Sequence, residues 1–239
     1  MPYLLVSRPC YDTYEYDNVV SVENMFLHTS KQGVKVCYHW PKGSNIAINR
    51  NLAVDKAREL GADHILWIDS DVIVQSDFAV RLVAHDVPIV SGVVVGKQAP
   101  YVVVAGRLTP KGYSQIRSLP ANELLRDLDG VGGGLLLVKM EVFDKIDKPY
   151  FCFEPNPDGS VKGEDYYFCA KAKAAGFEIC LDTSVISGHI GTHIYSIEDT
   201  NNFNAYEMYR QTKEQNRIVD MAKRRTPLIT TPNGKVLVN

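Results

Sequence analysis

Two aspartates stand one residue apart in Ile65-Leu66-Trp67-Ile68-Asp69-Ser70-Asp71-Val72-Ile73-Val74, a stretch that is otherwise apolar. Such a run reads as a buried strand, where an unpaired charge is costly. In an extended chain residues i and i+2 share a face, so Asp69 and Asp71 are expected to point together. Two carboxylates that close repel unless one takes a proton or a cation lies between them. A divalent metal is the simplest such cation, with a polyphosphate as the third party. The plain alternative is a strand end where two solvated aspartates open a loop.

Other clusters carry chemistry of their own. Glu164 and Asp165 follow Lys162-Gly163 at the first turn of a helical pattern. Acids there offset the helix dipole, which is reason enough for their presence. Adjacent helical residues nevertheless face about 100° apart, so one acid can serve the helix end while the other enters a cleft. Beside the apolar Tyr166 to Phe168, a carboxylate can act as a general base.

His189 and His193 lie among small residues in Ser187-Gly188-His189-Ile190-Gly191-Thr192-His193. Neutral imidazole is a good ligand for borderline metals. Off a helix, this spacing does not make a zinc pair, but one histidine could meet Asp71 across a shared metal. In Gly130-Val131-Gly132-Gly133-Gly134, missing side chains let something approach the backbone. This is neither GxGxxG nor a Walker loop, and a bulged strand or a ligand-lining loop both fit. Arg8 ends the first strand candidate, and Asn45, Asn49, Arg50 and Asn51 gather at a helix start. Arginine there suits phosphate or a planar base, although a solvated arginine on an amphipathic helix looks the same.

The elements that position these residues alternate strand and helix through the first ninety or so positions, the pattern of a parallel sheet with crossover helices. Strands are expected at 3–7, 34–38, 65 onward and 88–96, with helices at 17–28, 44–60 and about 76–85. Ser44 or Asn45 can cap the second helix, and Gly61 can stop it. The aspartate pair then sits at the carboxyl end of strand three, where open α/β sheets bind ligands. Later segments read as strands at 101–108, 128–139 and 177–181, and as helices at 164–175 and about 205–223. The tail from Thr226 is expected to be loosely held.

Bulk properties narrow the classes. At 239 residues the chain can bury a substantial core, and 45% hydrophobic with 23% charged residues is ordinary for a soluble globular protein. A net charge of −2 favours neither nucleic acid nor an anionic membrane. Five cysteines without a CxxC pair argue against a disulfide framework or zinc site. With no signal-peptide pattern and no long apolar run, the expected setting is the cytoplasm, or the host cytoplasm for a viral protein.

Taken in order, Asn49-Arg50-Asn51-Leu52-Ala53, Asp69-Ser70-Asp71, Gly132-Gly133-Gly134, Glu164-Asp165 and His189 resemble the GT-A-fold glycosyltransferases across about residues 3–193. The resemblance implies one α/β domain with a mostly parallel, Rossmann-like sheet, flanking helices and a smaller mixed acceptor-side half. Its catalytic part would span 1–195, with a nucleotide-binding half at 1–98 and an acceptor half at 99–195. Residues 196–239 would form a C-terminal helix and tail.

The resemblance also implies roles. Asp71 would ligate Mn2+ or Mg2+, with Asp69 meeting the ribose or the metal through water. His189 would be a further metal contact, with His193 as fallback. Arg8, Asn49 and Arg50 would contact the nucleotide of a UDP- or GDP-type sugar donor, and Gly132, Gly133 and Gly134 would line the donor sugar or acceptor. Asp165 would be the base of an inverting transferase, with Glu164 as fallback.

The acceptor could be a glycan, protein, lipid or modified DNA base, and a soluble bacterial or viral enzyme fits best. The competing readings are a nucleotide- or sugar-binding module without catalysis and, further behind, an aspartate-dependent phosphohydrolase. In the latter the motif normally ends the first strand rather than the third.

Overall fold

The computed structural model describes residues 1–110, 112–191 and 194–225, together with two short strands at Ile229–Thr230 and Val236–Leu237. Met1–Thr200 forms one compact unit and Asn201–Asn239 a second.

The first unit opens with β1 (Tyr3–Ser7), α1 (Tyr16–Lys31), β2 (Lys35–His39), α2 (Ile46–Leu60) and β3 (His64–Ile68). Then come β4 (Val72–Ile73), α3 (Phe78–Ala84), β5 (Ile89–Val93), β6 (Ala105–Thr109), β7 (Gly112–Gln115), β8 (Leu124–Leu125), β9 (Gly130–Val131) and β10 (Leu135–Lys139). A short α4 (Met140–Phe143), the ribbon β11 (Glu154–Pro155) and β12 (Val161–Lys162), and α5 (Glu164–Ala174) lead to β13 (Ile179–Ile186). The small strands β14 (Gly188–Ile190) and β15 (Ile194–Tyr195) precede α6 (Ile197–Arg225).

Seven strands make the central sheet, in the order β2-β1-β3-β10-β5-β13-β8. Strands β2, β1, β3, β5 and β13 run one way, while β10 and β8 run against them. The sheet is therefore mostly parallel, as the alternating first half of the sequence predicts. Both faces are covered, which is why its strands are continuously apolar rather than alternating. Leu5, Ile65, Trp67, Leu136 and Val138 face one core with Ala53, Val54 and Ala57 of α2. Leu4, Val6, Leu66, Ile68, Leu135 and Leu137 face the other with Val22 and Met25 of α1.

Local signals act where expected. Asn45 caps α2, its side chain accepting from Ala47 N at 2.8 Å, and Gly61 ends that helix at φ 65°. Asn51 faces the other way and ties α2 to the chain after α4. Its Oδ1 accepts from Tyr150 N at 2.9 Å and its Nδ2 donates to Phe151 O at 2.8 Å.

Three expectations need correction. The run 65–74 is not one strand: β3 ends at Ile68, and Asp69-Ser70-Asp71 form a turn before β4. The same-face argument for the aspartates fails with it, since that argument requires extended backbone. The strand expected at 128–139 is two, because Gly132 to Gly134 lie between β9 and β10, which belong to different sheets. Helix α6 starts at Ile197, earlier than its periodicity suggests.

Candidate functional site

The site is organised around the turn after β3. Asp69 N donates to Gly134 O at 3.0 Å, and Val72 N donates to Asp69 O at 3.2 Å, closing the turn over Ser70 and Asp71. Asn18 of α1 holds it from below, its Nδ2 donating to the carbonyls of Asp69 at 3.0 Å and Val72 at 2.5 Å. Arg8, just past β1, donates through Nη2 to Asn18 Oδ1. Its guanidinium is fully enclosed and lies over the rings of Trp40 at 4.2 Å and Tyr14 at 4.8 Å. Its Nε and Nη1 have no hydrogen-bond partner among the described residues. Arg8 therefore reaches the aspartate turn through Asn18.

Arg50 of α2 binds the two acidic motifs together. Its Nη2 donates to Asp69 Oδ1 at 2.9 Å and Oδ2 at 3.2 Å, and its Nη1 donates to Glu164 Oε1 at 2.5 Å. Burial works against the cation, but Asp69, Glu164 and Asp165 outweigh it and hold the Arg50 pKa above its usual value. Glu164 titrates high for a carboxylate because it is buried, with Arg50 opposing that shift and Asp165 adding to it. The glycine run makes room for this cation. A Cβ built on Gly133 would overlap the Arg50 guanidinium, and one on Gly132 would lie 2.9 Å from Val104 Cγ1. Gly134 is not crowded in this way, the nearest atom to its built Cβ being Asp69 Oδ2 at 3.4 Å.

Asp165 is freer than Glu164. It is half-buried, with Oδ2 accepting from Gly133 N at 3.2 Å and Oδ1 from Tyr166 N at 2.8 Å. Each oxygen keeps a further lone pair. Neither acid caps α5 through its side chain; the cap residue is Gly163, whose missing side chain leaves space for Asp165 Oδ1.

Asp71 looks elsewhere. A small sheet, β15-β14-β4, pairs His189 with Val72, and Ile190 N donates to Asp71 O at 2.7 Å. This pairing brings His189 Nε2 to 3.4 Å from Asp71 Oδ1. His189 Nδ1 lies 2.7 Å from Val95 O, which only accepts, so Nδ1 carries a proton. Lys97, which follows β5, donates to Asp71 Oδ2 at 2.5 Å. Burial alone would raise the Asp71 pKa, but His189 and Lys97 pull it down to about 2. His193 lies outside the described residues.

A cavity of about 220 Å3 opens here, lined by Pro9 and Cys10 after β1, Asn45 and Asn49 at α2, and Asp69 and Asp71. A larger open groove of about 840 Å3 runs past Ser21, Asn24 and Gln75 and touches none of the candidate residues. Among the described residues no three His, Cys, Asp or Glu side chains gather to hold a metal unaided. None of the described helices is long and apolar enough to cross a membrane.

Lys97 and Asn18 build the site without having stood among the residues that the sequence singles out. Lys97 directly follows Gly96, where an apolar strand run stops, and the rule that ligands sit at carboxyl strand ends points there. Asn18 stands on the buried face of α1 with Val22 and Met25, so a polar residue at a core position was its signal.

No family model matches the chain, and a comparison with curated protein sequences gives no match. Solved structures do resemble it. A197 from STIV superposes with a TM-score of 0.57 at 19% identity, covering 83% of this chain and 92% of that one. A Drosophila β1,4-galactosyltransferase 7 mutant, solved with manganese, UDP-Gal and xylobiose, gives 0.50 at 16% identity over 80% and 71%. At these identities the likeness is one of fold: the chain has a GT-A-like α/β architecture.

Proposed function

We propose that this protein is a glycosyltransferase that moves a sugar from a nucleoside-diphosphate donor to an acceptor hydroxyl with the help of a divalent cation. The observation carrying this reading is the pairing of Asp71 with His189. With Nδ1 held by Val95 O at 2.7 Å, Nε2 is the ring nitrogen turned to Asp71 Oδ1, at 3.4 Å. A proton on Nε2 closes this contact while no metal is bound; a metal that displaces it would take both atoms as ligands, and a metal-binding histidine commonly donates its other nitrogen to a carbonyl. These two residues would hold Mn2+ or Mg2+, with donor phosphates completing its sphere. The ion would neutralise charge developing on the leaving diphosphate.

The chain's own residues do the rest. Asn49 and Asp69 wall the cavity proposed for the nucleotide, and Arg50 orients Asp69 through both of its oxygens. Arg8 supports the same turn through Asn18. Asp165 takes the proton of the acceptor hydroxyl as its oxygen attacks the anomeric carbon. The donor's carbon–oxygen bond breaks and its electron pair stays on the diphosphate. Glu164 is the poorer base because its charge is committed to Arg50. Asp69 has both oxygens on Arg50, which speaks against its attacking phosphorus in a phosphohydrolase.

The test is thermal unfolding with UDP, GDP and their sugars, each with and without Mn2+. Stabilisation by one diphosphate series only in the presence of metal supports the reading. No response to any nucleotide overturns it. Metal-dependent binding without any sugar release or transfer would instead indicate a binding module.

A further inference from the structure

Asp71 is a shared carboxylate. Its Oδ1 faces His189 and its Oδ2 holds the Lys97 ammonium at 2.5 Å. Both side chains of the Lys97–Asp71 pair are about one-third exposed, 32% and 33%. A pair so open to water is weakly held, because solvent replaces the ammonium's partner when it leaves. Lysine also carries its charge on a flexible four-carbon stem with no fixed fork, so its Nζ can shift between neighbouring anions. Arg50 differs on both counts, being buried and locked between two carboxylates.

Charge balance at Asp71 depends on whether a donor is bound. An ammonium and a divalent cation on one carboxylate repel each other across a few ångströms. With the donor absent, no other anion among the described residues pairs with Lys97 to offset that repulsion. A bound donor changes the balance by bringing a diphosphate next to Asp71, and transfer adds one more negative charge as the carbon–oxygen bond breaks.

We propose that Lys97 is an exchangeable counter-cation, neutralising Asp71 while no divalent cation is bound and passing to the donor diphosphate when one takes its place. The exchange rests on the metal reading of Asp71 and His189. It makes Lys97 a direct contact of the leaving group, and it predicts opposite signs for two affinities.

The experiment compares wild type with Lys97→Met and Lys97→Arg by calorimetry. Mn2+ is titrated alone, and UDP and GDP are titrated at saturating Mn2+. Lys97→Met is expected to bind Mn2+ alone roughly two- to fivefold more tightly, and the preferred diphosphate more weakly by a similar factor. Lys97→Arg keeps the charge and is expected to stay near wild type in both titrations. Weaker or unchanged Mn2+ affinity in Lys97→Met, with wild type binding Mn2+ normally, overturns the exchange while leaving the metal reading standing. Unchanged diphosphate affinity overturns the transfer to the leaving group. If wild type takes up no Mn2+ with or without diphosphate, the metal reading and this inference fall together.

Discussion

The guanidinium of Arg50 occupies the space that a side chain on Gly133 would fill. One glycine thus licenses the cation that joins Asp69, at the end of β3, to Glu164, at the start of α5. Gly133→Ala is expected to push Arg50 off its carboxylates and to cost about 1–3 kcal/mol by overpacking, with the loss of the ion pairs added. Gly134→Ala, where the nearest atom is 3.4 Å away, should stay within about 1 kcal/mol of wild type. Urea denaturation of both variants checks this, and equal losses would show that Arg50 does not depend on Gly133.

Removing the cation itself should be worse. Arg50→Met leaves Asp69 and the buried Glu164 unpaired, and breaking a buried pair from one side costs about 3–5 kcal/mol. Adding Glu164→Gln should recover part of that loss, because one stranded charge is then gone. A double-mutant cycle measures the coupling. Strictly additive losses would mean that the 2.5 Å contact contributes nothing as a pair.

The adjacent acids should separate by phenotype. Asp165→Asn is expected to lower turnover of a nucleotide sugar by about 10²–10⁴-fold while the melting temperature holds, as for loss of a general base. Glu164→Gln should chiefly lower stability. Turnover in Asp165→Asn equal to wild type would remove Asp165 from the chemistry.

Asp71 gives a pH dependence of defined sign. Its carboxyl titrates at about 2 in the fold, against 3.8 for the ordinary group. A depressed carboxylate pKa contributes stability that is present above the ordinary value and lost as pH falls toward the folded one. Wild type should therefore exceed Asp71→Asn by about 1 kcal/mol above pH ~5, a figure reduced for partial exposure. The gap should close between about pH 4 and 2. Chemical denaturation across that range decides it, and a gap that widens in acid would refute the assignment.

Much of this architecture is legible in the chain. Apolar runs at 3–7 and 65–68 read as strands because the sheet is covered on both faces. Asn45 and Gly61 mark the ends of α2 because capping and left-handed backbone are local chemistry. The candidate residues could be named for the same reason, since Asp69, Asp71, Glu164 and Asp165 are costly in their apolar contexts. Their partners were less legible. Strands β4 and β14, two and three residues long, carry no period to read, yet their pairing sets His189 beside Asp71.

The sequence by itself determined a mostly parallel α/β sheet with acidic residues at its carboxyl end, because hydrophobic patterning, capping and the cost of buried charge act over short stretches. Only the tertiary structure divided those acids. Asp69 and Glu164 went to Arg50, Asp71 to Lys97 and His189, and Asp165 to the backbone of Gly133 and Tyr166. Which carboxylate meets which cation depends on contacts between residues up to 118 positions apart (Asp71 to His189, 189 − 71). Such contacts are set by how the strands and helices pack, and the pair of aspartates that looked alike in sequence ends with two different partners.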